Sequence, residues 1–199
     1  MKQLNLSNYD WIHLEGRKNV NDIREFIRRV RSEDLEKKIT ISIEIEKPLE
    51  SRTVFLQDDV DYFFVSKDYA RMKGANDLKE AIQLLADLVT EGHLNGDRNP
   101  SNIVVAWGEN GAATCTVHSK DSRSDIAYSP AFTPKTGVID TTGAGDAFIA
   151  AVIFARLLLK LDLKDSIAFG CKFAGAKCGV MGNAGLERFD TLHGPDSLF

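Results

Sequence analysis

"VIDTTGAGDAF", residues 138–148, sets a small-residue turn and a carboxylate directly ahead of an apolar run, "AFIAAVIFARLLL", at 147–159. The run predicts a helix from Asp146 to about Leu159. The first turn of any helix leaves backbone N–H groups without intrahelical partners, and the macrodipole makes that end positive. Glycines at 143 and 145 permit close backbone approach and conformations that a side chain forbids. Gly143, Ala144 and Gly145 thus read as an anion cradle suited to a phosphate, with Asp146 beside it as an acid–base group. Taken alone, the same four residues fit an ordinary acidic helix start equally well. A dinucleotide fingerprint is excluded, because its third glycine position is filled by Phe148.

Working outward, strands and helices alternate. Tyr9–Leu14 reads as a strand, and Asp22 to about Arg31 as a helix with Ile23, Phe26, Ile27 and Val30 at the helical period. "ITISIEIE" at 39–46 alternates strictly, which puts its isoleucines on one side, and Pro48 ends it. "YFFVS" at 62–66 and "IVVAW" at 103–107 are apolar runs of the buried-strand type. An amphipathic helix runs from Asp77 to about Thr90, and "EGHLNGDRNPS" at 91–101 is a polar loop. A hairpin is expected through Cys115–His118 toward Ser129–Phe132, and a last helix at Leu163 to about Cys178. This order predicts parallel β-α-β units, hence a three-layered α/β fold. Such sheets bind ligands where strand ends lead into helices, the position of the 143–146 turn.

The 199 residues are 43% apolar and 27% charged, enough for one domain with a substantial core. The tail at about 183–199 is polar and expected to be loosely docked. A net charge of −4 argues against a nucleic-acid partner. Arg24, Arg28, Arg29 and Arg31 alternate with acids, which reads as a solvated helix face. No apolar run reaches the ~20 residues that a membrane span needs, and the start lacks a signal-peptide core, so the expected location is cytoplasmic. Cys171 and Cys178 stand ~10 Å apart on a helix, too far for a disulfide, and Cys115 reads as core. The four histidines show no ligand spacing.

"DTTGAGDAF" resembles the C-terminal signature of the PfkB/ribokinase family of carbohydrate kinases. "WIHLEGR" at 11–17, "ISIEIEKP" at 41–48, "FFVSKD" at 63–68, "VAWGENGA" at 105–112 and "FGCKFAGAKCG" at 169–179 resemble members of that family in the family's order. The resemblance implies a ribokinase-like fold with a mostly parallel sheet and ATP-dependent phosphorylation of a ketohexose, typically fructose at its 1-hydroxyl. Mg²⁺ and K⁺ are the implied ions. By position, Asp146 is the implied base, and the N–H groups of Gly143, Ala144 and Gly145 form the hole for the γ-phosphate. Gly108, Glu109, Asn110 and Gly111 match a second nucleotide-binding segment. Phe132, Pro134, Phe148, Cys171, Ala174 and Cys178 would line the adenine pocket. The small residues at 171, 174, 175 and 178 share one helix face, which suits either a flat ring or close helix packing.

Where many members carry Asn-x-x-Glu for hydrated magnesium, this chain has Val65-Ser66-Lys67-Asp68. Asp68 is the implied substitute, with Glu44 and Glu46 as further acids. The resemblance also implies an N-terminal portion, bearing the sugar-binding residues and a lid that mediates homodimerisation, with no counterpart here. Two other readings stay open. One is a catalytically silent nucleotide-binding or interaction fragment; the other is a kinase of the same family for a different sugar or a nucleoside.

Overall fold

The computed structural model describes residues 5–36, 38–93 and 100–186. Most of the 91–101 loop, the side chain of His93 and the tail beyond 186 lie outside them. The chain parts into two compact units, residues 1–105 with 114–126, and residues 106–113 with 127–199.

The first unit carries β1 (Trp11–Glu15), α1 (Val20–Glu33), β2 (Thr40–Ile45), β3 (Tyr62–Ser66), α2 (Lys67–Met72), α3 (Leu78–His93) and most of β4 (Ser101–Ala106). β5 (Ala112–Ser119) and β6 (Ser122–Arg123) complete its sheet in the order β1-β2-β3-β4-β5-β6. β1 and β2 pair in parallel with Ile12 opposite Ile41, and β2 and β3 in parallel with Ile43 opposite Phe63. The expected parallel β-α-β arrangement is therefore present. β6 returns antiparallel to β5.

Strict alternation puts the β2 isoleucines on one side, and Ser42 on the other side is as buried as Ile41, Ile43 and Ile45. A parallel sheet is covered on both faces. Ser42 meets that burial by hydrogen bonding, since the Trp11 indole donates to its Oγ and His13 Nδ1 shares the same oxygen, each at 2.8 Å. Trp11 and Tyr62 pack beside this pair with ring centroids 4.8 Å apart.

α1 buries Ile23, Ile27 and Val30 of the predicted stripe, and leaves its fourth member, Phe26, half-buried. Its arginines divide, and here the solvated-face expectation needs correction. Arg28 and Arg29 make exposed pairs with Glu25 and Glu33. Arg24, in contrast, donates to both oxygens of the buried Asp58 carboxylate at 2.9 Å. The Arg31 side chain is 8% exposed and reaches Asp61 at 2.6 Å, the Ile39 carbonyl at 2.9 Å and the Asp59 carbonyl at 3.1 Å. Two of the four guanidiniums thus tie α1 to the loop before β3.

α3 starts on Asp77, whose carboxylate accepts the Glu80 N–H at 2.8 Å while Glu80 reaches back to the Asn76 N–H, a reciprocal N-terminal cap. Cys115 is core as expected, and burial pushes its thiol up to about 11. All three cysteines are free thiols. No helix among the described residues is long and apolar enough to cross a membrane.

The second unit holds a turn at Gly108–Asn110, β7 (Ala127–Ser129), α4 (Ala144–Leu157) and α5 (Leu163–Cys178). β7 pairs with β5, of which Ala112 and Ala113 belong to this unit. α5 begins on Asp162, whose side chain caps the Asp165 N–H. It packs closely on α4: a Cβ on Gly170 would stand 2.7 Å from Val152 Cγ2 and 2.9 Å from the Phe148 ring. Ala151, Ala155 and Phe169 form the buried centre of this pair.

Candidate active site

The 143–146 turn is built by one left-handed residue. Gly143 is the N-cap of α4 at φ 74°, ψ 11°, a conformation that costs an L-residue about 1–2 kcal/mol. Ala144 donates to the Thr141 carbonyl at 3.1 Å, and Ala147 to the Gly143 carbonyl at 2.9 Å. The N–H groups of Gly143, Gly145 and Asp146 have no acceptor among the described residues. Of the three expected donors, two are thus open and Ala144 is engaged, while the Asp146 N–H joins the open set. Gly145 has an ordinary φ, and a Cβ there would meet nothing within 4 Å. The fold requires glycine at 143 and leaves 145 open.

Asp146 is exposed in the first turn of α4. One of its carboxylate oxygens lies 3.9 Å from the point a Cβ on Gly143 would occupy, so the side chain leans back over the turn. It makes no hydrogen bond or ion pair among the described residues. An acid serving as a cap would bond a first-turn N–H, and Asp146 does not.

A cavity of about 390 Å³ opens beside the turn. Ala144 and Gly145 line it, as do Gly108, Glu109 and Gly111. Phe132, Pro134, Phe148, Cys171, Ala174 and Cys178 all line it, so the six proposed adenine residues converge on one space. Asn110, Gly143 and Asp146 are outside its lining. The small residues of α5 separate into two tasks. A Cβ on Gly175 would stand 2.2 Å from the Phe132 carbonyl oxygen, and one on Gly179 2.6 Å from Pro134, which is close packing. Cys171, Ala174 and Cys178 line the cavity, and Gly175 does so as well. Burial pushes the Cys171 thiol up, and a hydrogen bond with Ser129 partly offsets this.

In the Gly108–Gly111 turn, both glycines have positive φ, 56° and 84°. Gly111 is fixed by packing as well, because a Cβ there would fall 2.0 Å from the Ser129 carbonyl oxygen.

Sequence reasoning missed Asp140 and Lys177. The Asp140 carboxylate accepts the Thr142 N–H at 2.9 Å, the Gly182 N–H at 3.0 Å and the Lys177 ammonium at 3.1 Å. Lys177 also donates to the Asp140 carbonyl at 3.0 Å. The Thr142 and Gly182 amides, then the Thr142 hydroxyl and Lys177, hold the Asp140 carboxyl well below the usual carboxylate range. The Cys178 carbonyl at the end of α5 accepts from Ile139 at 2.7 Å and Asp140 at 3.2 Å. The segment feeding the turn is therefore clamped to the C-terminus of α5. The one sequence signal was a lysine inside a run of small residues, "GAKCG" at 175–179.

Asp68 lies in the first unit, exposed in the first turn of α2, which Ser66 caps by accepting the Tyr69 N–H at 3.1 Å. Glu44 and Glu46 line a separate cleft of that unit, about 510 Å³, together with Glu15, Arg17 and Arg52. Among the described residues no three His, Cys, Asp or Glu side chains gather as a metal site.

The chain is similar to known kinases over most of its length. The chain is 34% identical to ketohexokinase of Mus musculus over 190 residues, covering 93% of this chain and 58% of that protein. Among solved structures, ribokinase from Cryptococcus neoformans var. grubii in complex with ADP superposes with a TM-score of 0.65 at 17% identity, over 91% of this chain and 58% of that one. Aminoimidazole riboside kinase from Salmonella enterica, complexed with aminoimidazole riboside and an ATP analogue, gives 0.59 at 21% identity over 96% and 61%. At those identities the structures establish the ribokinase-like α/β fold and nothing finer. The sequence profile described as pfkB family carbohydrate kinase matches residues 46–187, most of both units and the whole 143–146 turn, so this chain belongs to the pfkB family of carbohydrate kinases.

Proposed function

We propose that this chain carries the nucleotide-binding and phosphoryl-transfer part of an ATP-dependent kinase whose acceptor is a ketohexose, with fructose and its 1-hydroxyl as the specific case. The observation that carries the reading is the pairing, on one turn, of amide donors at Gly143, Gly145 and Asp146 with the Asp146 carboxylate, all without a partner among the described residues. Adenine would occupy the cavity between Phe132, Phe148 and Cys171, with its phosphates directed to the turn.

Charge in a phosphoryl transfer spreads over the equatorial oxygens of the moving group, where fixed N–H donors are most effective. The acceptor oxygen attacks the γ-phosphorus, its proton passes to the Asp146 carboxylate, and the bond to the β–γ bridging oxygen breaks to release ADP. Gly108 and Glu109 line the same cavity as Ala144 and Gly145, and their proposed role is to flank the ribose or phosphates.

Magnesium supplies charge neutralisation on the phosphates when bound. A Mg²⁺ that arrives with ATP keeps most of its waters and asks for only one or two carboxylates. Asp68 fits that role no better than any first-turn acid, and no step above passes through it. The similarity to mouse ketohexokinase supports fructose, and a homodimer is proposed from the family resemblance alone.

A coupled assay with ATP and fructose, run beside calorimetry of ATP binding, tests the reading. Turnover that collapses in Asp146→Asn with ATP binding kept is the expected result. ATP binding with no fructose effect would instead support a silent nucleotide-binding role. Preference for a nucleoside acceptor would move the activity elsewhere in the family. The chain spans 58% of the length of the mouse relative, and the assay uses the 199-residue chain itself.

A further inference from the structure

Lys177 sits in the last turn of α5 with its side chain 1% exposed. A buried ammonium is costly unless it is paired and hydrogen-bonded, and among the described residues both hydrogen bonds of this one go to a single residue. The Asp140 carbonyl and carboxylate oxygens converge on Nζ at 3.0 and 3.1 Å. A carbonyl and a carboxylate aimed at one point are the donor set of a hard cation. Asp140 then passes the constraint on: its other carboxylate oxygen holds the Thr142 N–H, and Gly143 follows in its left-handed conformation.

We propose that the Lys177 ammonium is a built-in cation for the 140–145 turn, filling the Asp140 oxygen set from inside the fold and making the turn's geometry independent of a monovalent cation from solution. Lys177 is a positioning residue: it touches neither the cavity nor the open N–H groups, and acts through Asp140. The functional consequence rests on the proposed nucleotide reading, whereas the structural consequence does not.

The test compares the unaltered chain with Lys177→Ala and Lys177→Met in potassium chloride and in tetramethylammonium chloride of equal ionic strength. Thermal midpoint and calorimetric ATP affinity are both read. The unaltered chain should give the same values in the two salts. Lys177→Ala leaves room for an ion and should bind ATP about tenfold or more weakly without potassium, recovering with potassium or ethylammonium. Lys177→Met refills the volume without charge and should stay weak in both salts.

The proposal is overturned if the unaltered chain needs potassium, if Lys177→Met matches it, or if folded Lys177→Ala gains nothing from either cation. If Lys177→Ala does not fold, the salt response of the unaltered chain and the Lys177→Met comparison still decide. Failure of the nucleotide reading shows separately, as no ATP binding by the unaltered chain in any salt. The thermal midpoints then carry the same comparison on their own.

Discussion

Gly175 and the Phe132 carbonyl are in backbone-to-backbone contact, since a Cβ on the glycine would lie 2.2 Å from that oxygen. Neither side can yield as a flexible side chain can. Gly175→Ala should therefore push α5 off the 131–134 segment, at a cost of about 3 kcal/mol, the upper part of the range for overpacking. Thermal melting and ATP affinity should fall together, because the cavity shares this wall. An alanine that melts like glycine here would show that the segment is not held by α5.

Gly145→Ala should behave in the opposite manner. A Cβ there meets nothing within 4 Å and the φ is ordinary, so alanine costs the fold nothing and can stabilise the helix start by up to ~1 kcal/mol. The added methyl nevertheless sits among the open N–H donors. The expected result is an unchanged or slightly higher melting temperature with weakened ATP binding. Equal ATP affinity in the two proteins would remove Gly145 from the phosphate site.

Legibility of the sequence followed the range of the interactions involved. β3 and α5 fall at their expected bounds because each is a dense apolar or small-residue block with clear stops. α4 begins at Ala144, two residues before the expected Asp146, because a left-handed Gly143 starts the helix and the carboxylate does not. The 3-10 segment Glu50–Gln57 and the short α2 were not anticipated. Buried Arg52 breaks the apolar pattern of the first, and α2 is only six residues long. Arg24 and Arg31 were read as solvated because their partners, Asp58 and Asp61, lie about thirty positions away. The Asp140–Lys177 pair spans 37 positions, and no local spacing rule reports it.

Asp140 should contribute a distinctive acid limit. Its carboxyl is depressed in the folded chain, chiefly by the Thr142 and Gly182 amides. The stabilisation is therefore complete above the unfolded carboxylate's pKa of about 3.9 and is lost as pH falls below it toward the folded value. Melting temperature against pH, compared with Asp140→Asn, should show a gap that is constant near neutrality and narrows below about pH 4. A gap that persists undiminished to pH 2 would mean the carboxylate is not what the two amides and Lys177 hold.

Asp146→Asn separates the two roles that an acid at a helix start can have. A cap contributes about 1 kcal/mol through a bond to a first-turn N–H, and the Asp146 side chain makes no such bond among the described residues. The amide should therefore leave the melting temperature within about a degree, less than a lost cap would shift it. It keeps shape and polarity but cannot accept the proton of the attacking hydroxyl. A positioned general base contributes about 10²–10⁴ in rate, so kcat should fall by that order while KM for ATP barely moves, the pattern of an interaction made only in the transition state. Restoring the carboxylate one methylene further out, as Asp146→Glu, should recover part of the rate, because proton acceptance returns with imperfect aim. A variant that loses stability and rate in proportion would instead place Asp146 among the groups that hold the turn together, and the base would have to be sought on another residue.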